Sequence, residues 1–242
     1  TFEPTKSGVV GLLGCALGAQ GRHADALPVL RDAAAALPPH LGLLKNLSDA
    51  LRGSGQTEEA LAVLDRAVAL APDHPELRFT RGNLRLQWQQ LPEAVADYEA
   101  LLALKPDHAM ALNNLGSALE QLKRPREALV RFEQALALRP DYDKALHNLG
   151  GLLLDLKRYP EAIVILERLQ ALNPDCPNAA GLLGFARRHA CDWTGLEALM
   201  ARLAATVAAG GRGDLPFRFL AQSASAGLQR RCAQTFAREK FP

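Results

Sequence analysis

The sequence is poor in aromatic residues and has no excess of either charge. Phe, Trp and Tyr make up only 5% of its 242 residues. The apolar content therefore rests mainly on Ala and Leu, which lose little side-chain freedom in helices and favour an all-α chain. Lys plus Arg number 28 against 26 Asp plus Glu, a net charge of +2. A nucleic-acid or membrane-surface protein needs a basic excess, so neither partner is expected. No run of eighteen apolar residues occurs, which excludes a bilayer-spanning helix. The cysteines Cys15, Cys176, Cys191 and Cys232 form no CxxC and no regular framework, and this points to a reducing, cytoplasmic compartment. Hydrophobic residues at 48% and charged residues at 22% suit a chain with a substantial core. The first residue is Thr1 rather than Met, as in a fragment or a processed chain.

Against these absences stands a repeat. Pro38, Pro72, Pro106, Pro140 and Pro174 recur at one spacing, and so do Ala26, Ala60, Ala94, Ala128 and Ala162. Gly14, Gly82, Gly116, Gly150 and Gly184 share the register, with Ser48 in the vacant slot. For a chain with this proline content, four further in-register prolines arise by chance less than about once in ten thousand trials.

The spacing has a structural reading. In Ala109–Tyr142 a first helix, A, carries Leu112, Leu115 and Leu119 on one face. A turn at Lys123, Arg124 and Pro125 leads to a second helix, B, with Ala128, Phe132, Ala135 and Leu136 on one face. Pro140 ends it, because proline cannot continue a helix and pushes its predecessor out of helical geometry. Asp141 is expected to cap the next helix. Gly116 and Ala128 are small where two antiparallel helices approach, so a larger side chain would overpack the contact.

This helix-turn-helix, with Gly, Ala, Phe and Pro at these offsets, resembles the tetratricopeptide repeat. Five units fit: Ser7–His40, Leu41–His74, Pro75–His108, Ala109–Tyr142 and Asp143–Cys176, together residues 7–176. The resemblance implies a right-handed α-solenoid with a concave groove lined by the A helices. That is a surface for holding polypeptide, not a catalytic pocket. Helix A of the first unit is apolar all round, from Gly8 to Leu17, which makes a poor cap, so further repeats are expected upstream.

In this family the sixth position of each unit faces the groove. Here it holds Leu12, Asn46, Thr80, Asn114 and Asn148. An Asn amide offers donor and acceptor together, so it can bond the N–H and C=O of an extended peptide. Lys45, Asn113 and His147 stand beside this column and complete the candidate peptide-binding set, with Asp49, Asn83 and Ser117 among the neighbours. Chaperone-binding members clamp a terminal carboxylate with cations from three repeats. Thr80 and Met110 occupy positions where such cations would be needed beside Lys45 and Lys144, so no carboxylate clamp is expected.

The third unit departs from the pattern. Arg78, Arg81 and Arg85 stand where units two, four and five have Leu. They read either as an anion site or as stems that snorkel to acidic neighbours while Leu77, Leu84 and Trp88 pack, and the second reading is preferred. His40, His74 and His108 also recur with the period. Stacked helices hold them roughly 10 Å or more apart, too far for metal bonds of about 2 Å, so they read as turn residues. No metal site, catalytic constellation or cofactor site is expected. The Gly210–Gly213 stretch lacks the Lys-Ser/Thr ending of a phosphate loop.

Residues 177–242 read as a degenerate sixth unit and a C-terminal helical junction. Helix A is expected over 178–190. Thr194 and Glu197 form an expected capping box. Leu196, Leu199, Met200, Leu203 and Val207 make a stripe ended by Gly210. A last helix over 225–238 aligns Leu228, Cys232 and Phe236. The string from Ala186 through Cys191-Asp192-Trp193, then Pro216-Phe217, then Gln229 to Ala233, resembles the junction of protein O-GlcNAc transferases of the SPINDLY-like family. There, repeats run into Cys-Asp-Trp and a Pro-Phe segment ahead of two nucleotide-sugar-binding lobes. The resemblance implies a parent enzyme that moves a sugar from a uridine-diphosphate donor to protein Ser or Thr. These residues hold no βαβ alternation and no nucleotide-binding glycine fingerprint, so they contain no catalytic domain and would present the protein substrate to a catalytic region not included here. The alternative is a stand-alone tetratricopeptide scaffold or adaptor with no enzymatic parent. Trp193, as part of a structural junction, is expected in a core, where truncation would cost about 3–5 kcal/mol. The sequence fixes no oligomeric state.

Overall fold

The computed structural model describes residues 13–14, 16–17, 20, 22–36, 41–174, 176, 178–210 and 225–240. Among them are twelve long α-helices and no strand. They are α1 His23–Ala36, α2 Leu41–Gly53, α3 Thr57–Leu70, α4 Pro75–Gln87, α5 Leu91–Leu104 and α6 Ala109–Gln121. Then follow α7 Pro125–Leu138, α8 Asp143–Asp155, α9 Tyr159–Leu172, α10 Ala179–His189, α11 Leu196–Ala208 and α12 Ala226–Lys240. The chain divides into two compact units, Thr1–Lys123 and Arg124–Pro242. In the first, α2 packs on α3, α4 on α5, and each helix also meets the one before it. In the second, α7 through α12 pack in the same sequential way.

The periodic residues make these contacts. Ala26, Ala60, Ala94, Ala128 and Ala162 are all fully buried. The two helices of a pair come so close that Gly82 has no room for a side chain. A Cβ there would stand 2.9 Å from Cε1 of Tyr98, and one at Gly150 would stand 2.6 Å from Cδ2 of Leu166. In the slot that has no glycine, Ser48 is completely buried and its hydroxyl donates to the Lys45 carbonyl at 2.8 Å.

Among the described residues the A-to-B turns share one backbone conformation. Gly55, Gln89, Lys123, Lys157 and Cys191 all have φ between 54° and 74°. In four of the five the next residue donates back across the turn: Gln56 N–H to Leu51 O, Gln90 to Arg85, Arg158 to Leu153 and Asp192 to Arg187, each at 2.8–2.9 Å. This is the Schellman pattern that satisfies the last helical carbonyls. Glycine adopts such a φ without strain, and only one of the five positions uses it. Cys191 places the same turn between α10 and α11.

Two capping expectations are corrected. Asp141 is exposed and does not cap α8. Tyr142 holds the N-cap position without a side-chain bond, and Asp143 accepts from the Lys144 N–H at 2.7 Å. Thr194 and Glu197 form no box. The Thr194 N–H is already taken by Asp192 Oδ1 at 3.0 Å, and Gly195 enters the left-handed region at φ 60°, so α11 starts at Leu196. The stripe itself forms as the spacing requires. Leu196, Leu199, Leu203 and Val207 are buried, and Leu203 and Val207 cluster with Cys232 of α12. His74 and His108 occupy N-cap positions, and His108 Nδ1 accepts from the Ala111 N–H at 3.1 Å. His40 lies outside the described residues.

The arginines of the third unit reach acidic partners. Asp97 of α5 is 1% exposed. Arg81 Nε donates to Asp97 Oδ2 at 2.9 Å, and Arg85 Nη1 donates to the same oxygen at 2.9 Å. Asp65 of α3 accepts from Arg81 at 2.9 Å and from Arg85 at 3.0 Å. Arg78 Nε donates to the Pro72 carbonyl at 2.7 Å. Desolvation pulls the Arg81 pKa down, but the Asp97 carboxylate outweighs it and holds the guanidinium above its ordinary value. Leu77 and Leu84 are buried as expected. Trp88 is not: it lies at the helix end, 39% exposed, because the charged cluster and not its indole fills the space.

Candidate peptide-binding face

The A helices α2, α4, α6 and α8 carry the sixth-position residues. Asn46, Thr80, Asn114 and Asn148 are each half-buried, so their polar ends are neither sealed in the core nor fully solvated. Thr80 differs from the asparagines: its hydroxyl donates to the Glu76 carbonyl one turn earlier at 2.8 Å. Such back-bonding is normal for Thr within a helix and commits its proton to its own backbone. Lys45 is exposed and His147 is half-buried, whereas Asn113 is 3% exposed and supports its neighbour rather than facing solvent.

In the first unit the amides form a connected chain. Asn113 Nδ2 donates to Asn114 Oδ1 at 3.1 Å, and Asn114 Nδ2 donates to Asn83 Oδ1 at 2.8 Å. Tyr98 of α5 donates its hydroxyl to the same Asn83 oxygen at 2.7 Å. Tyr98 is fully buried, and burial pushes its phenol pKa up, with Asn114 opposing in the other direction. A neutral buried phenol must place its proton on an acceptor, and Asn83 provides one. A cavity of about 440 Å³ in this unit, lined by Asp49, Arg52, Leu84 and Gln87 among others, includes none of these amides. In the second unit a trough of about 470 Å³ runs along Leu136, Leu149, Leu153 and Val164, again apart from Asn148.

Comparison with known proteins agrees with this architecture. Models described as tetratricopeptide repeat match residues 12–77, 47–109 and 119–184. The helix pairs are tetratricopeptide repeats. Among solved structures, the tetratricopeptide chain is similar to MamA from Desulfovibrio magneticus RS-1. Identity is 22% and the TM-score 0.67, over 71% of this chain and 97% of that one. It is also similar to MamA MSR-1, with 23% identity and a TM-score of 0.62 over 70% and 97%. A third structure, of MamA protein, gives 19% identity and a TM-score of 0.62 over 66% and 87%. At these identities the likeness shows the fold alone, an all-α solenoid of tetratricopeptide repeats. No curated protein matches the sequence.

The junction residues after the repeats are spread over one turn. Cys191 is exposed at the left-handed position. The Asp192 carboxyl, bonded by the Thr194 N–H, is held below the usual carboxylate range, and Arg187 Nε lies 3.6 Å away. Trp193 is 68% exposed, which overturns the expectation of a core tryptophan: it sits in the turn between α10 and α11, outside both helices. Pro216 and Phe217 lie outside the described residues. Among the described residues no helix is long and apolar enough to cross a membrane. The amide chain through Asn83 and Tyr98 was not assigned from sequence. Asn83 stood only among the neighbours of the column, and Tyr98 fills the slot that Phe132 fills one unit later, where only size is legible.

Proposed function

We propose that the A-helix faces, each within its own compact unit, hold extended polypeptide through their asparagine amides. The observation that supports this best is the bonded set Asn113, Asn114, Asn83 and Tyr98. It fixes side-chain amides on a half-exposed helical face, so little rotamer freedom is lost when a peptide binds. In the same unit Asn46 of α2 offers the same chemistry beside Lys45, and in the other unit Asn148 of α8 does so beside His147. Contacts of this kind read the peptide main chain and accept varied side chains. Binding of unstructured peptides to the intact chain, followed by titration calorimetry, tests the reading. Micromolar binding that is insensitive to peptide composition agrees with it, and the absence of binding contradicts it.

A finer proposal concerns the parent. The Cys191-Asp192-Trp193 string directly after the repeats supports a substrate-presenting part of a UDP-sugar-dependent protein O-glycosyltransferase, in which the exposed Trp193 indole would be covered by a following lobe. A stand-alone tetratricopeptide scaffold is the competing reading. Sugar transfer by the natural full-length product, and none by these 242 residues alone, favours the transferase. A full-length product without transferase lobes favours the scaffold.

A further inference from the structure

The amide of Asn83 differs in kind from those of the sixth-position column. Its Oδ1 accepts twice, from Tyr98 Oη at 2.7 Å and from Asn114 Nδ2 at 2.8 Å. A carbonyl oxygen has two lone pairs, so this acceptor is full. The amide is also held in one orientation. The fully buried Tyr98 hydroxyl needs an acceptor for its proton, and Asn114 Nδ2 can only donate, so turning the amide would take the acceptor from both. Neither of these two bonds uses the Nδ2 protons of Asn83, and the residue is half-buried on α4. The sixth position of the same helix offers nothing comparable, because the Thr80 hydroxyl is spent on Glu76 O.

We infer that Asn83 is a specificity-determining, donor-only contact that reads a main-chain carbonyl of the bound polypeptide and ignores the N–H of the same residue. This deepens the peptide-binding reading and rests on it. A freely oriented Asn pairs with both the N–H and the C=O of an extended residue. Asn83 pairs with the C=O alone, so the residue opposite it can be proline or any other residue without an N–H. The third repeat thus admits an imino acid at a register where a bidentate asparagine would reject it.

Asn83→Asp separates this role from folding. A carboxylate of the same shape still accepts from Tyr98 and Asn114, but it presents an acceptor to the peptide in place of two donors. The probe is the tightest-binding member of an immobilised array of mixed-sequence dodecapeptides, selected on the unaltered chain. The expected result is at least a roughly tenfold loss of affinity with an unchanged melting temperature. Unchanged affinity for Asn83→Asp, while Asn46→Ala or Asn148→Ala weakens binding, overturns the Asn83 assignment and leaves the groove reading standing. Unchanged affinity for all of these variants overturns both. A scan of the probe peptide against the unaltered chain needs no variant. One residue is expected to lose affinity when its carbonyl is reduced to methylene and to tolerate N-methylation. If every carbonyl-sensitive residue is equally sensitive to N-methylation, the donor-only assignment fails.

Discussion

Asp97 and Arg81 face each other between α5 and α4, with Arg81 Nε 2.9 Å from Asp97 Oδ2 and the aspartate side chain 2% exposed. Neighbouring units place leucines where Arg78, Arg81 and Arg85 stand. Here one buried carboxylate and the half-exposed Asp65 replace apolar packing with a shared ionic cluster. Taking charges out of water is costly, so such a cluster holds only while its partners are all present.

Asp97→Asn is therefore expected to destabilise the fold by about 3–5 kcal/mol, because Arg81 and Arg85 stay half-sequestered with their main counter-charge gone. Combining Asp97→Val with Arg81→Leu and Arg85→Leu gives this unit the residues of the preceding one, Val63, Leu47 and Leu51, and is expected to leave stability near or above the starting value. Urea unfolding of the single and triple variants checks both. A single variant that unfolds with the unaltered chain would show that the cluster contributes nothing.

The close approach of α4 and α5 predicts a second sensitivity. Gly82→Ala sets a Cβ against the Tyr98 ring at 2.9 Å and is expected to cost about 1–3 kcal/mol through overpacking. The ring carries the hydroxyl that holds Asn83, so peptide affinity should fall in the same variant. Thermal unfolding and peptide titration measured together test the pairing of the two effects.

The left-handed turn positions predict a gain. Lys157 adopts φ 59° with a side chain, at a place where the second repeat uses Gly55. Lys157→Gly removes the Cβ strain at the cost of a looser unfolded chain, for a net stabilisation of about 0.5–1 kcal/mol. Gly55→Val is expected to destabilise by more than about 1 kcal/mol, since a β-branched residue is a true outlier at positive φ. Melting temperatures of the two variants should move in opposite directions.

Trp193→Ala is expected to change stability by no more than about 0.5 kcal/mol, the usual range for an exposed position. A loss of several kcal/mol would mean that the indole packs against part of this chain.

The repeat was readable because its signal lies in residue types that geometry forces: Pro140 stops a helix, and Gly82 and Ala94 let two helices touch. The A-to-B turn was not readable, because Gln89, Lys157 and Cys191 reach the same φ with unrelated side chains, held there by backbone hydrogen bonds. The partners of Arg81 and Arg85 were legible only as acidic neighbours in general. Asp97 stands sixteen residues from Arg81, and only the packing of α4 on α5 selects it. Trp193 was misjudged for a related reason. It lies between the left-handed residues Cys191 and Gly195, in a turn outside both helices, and hydrophobicity does not reveal that placement. The candidate column was placed by position alone, so its half-buried setting follows from the fold. The Asn83 orientation needed the Tyr98 hydroxyl in view.

The account stands on asparagine side chains gripping a peptide main chain. Calorimetric titration of several unrelated dodecapeptides into the unaltered chain, Asn114→Ala and Asn148→Ala tests this most directly. Each lost hydrogen bond is worth about 1 kcal/mol, so each variant should bind every peptide roughly fivefold more weakly. Equal affinities across variants and peptides would contradict it.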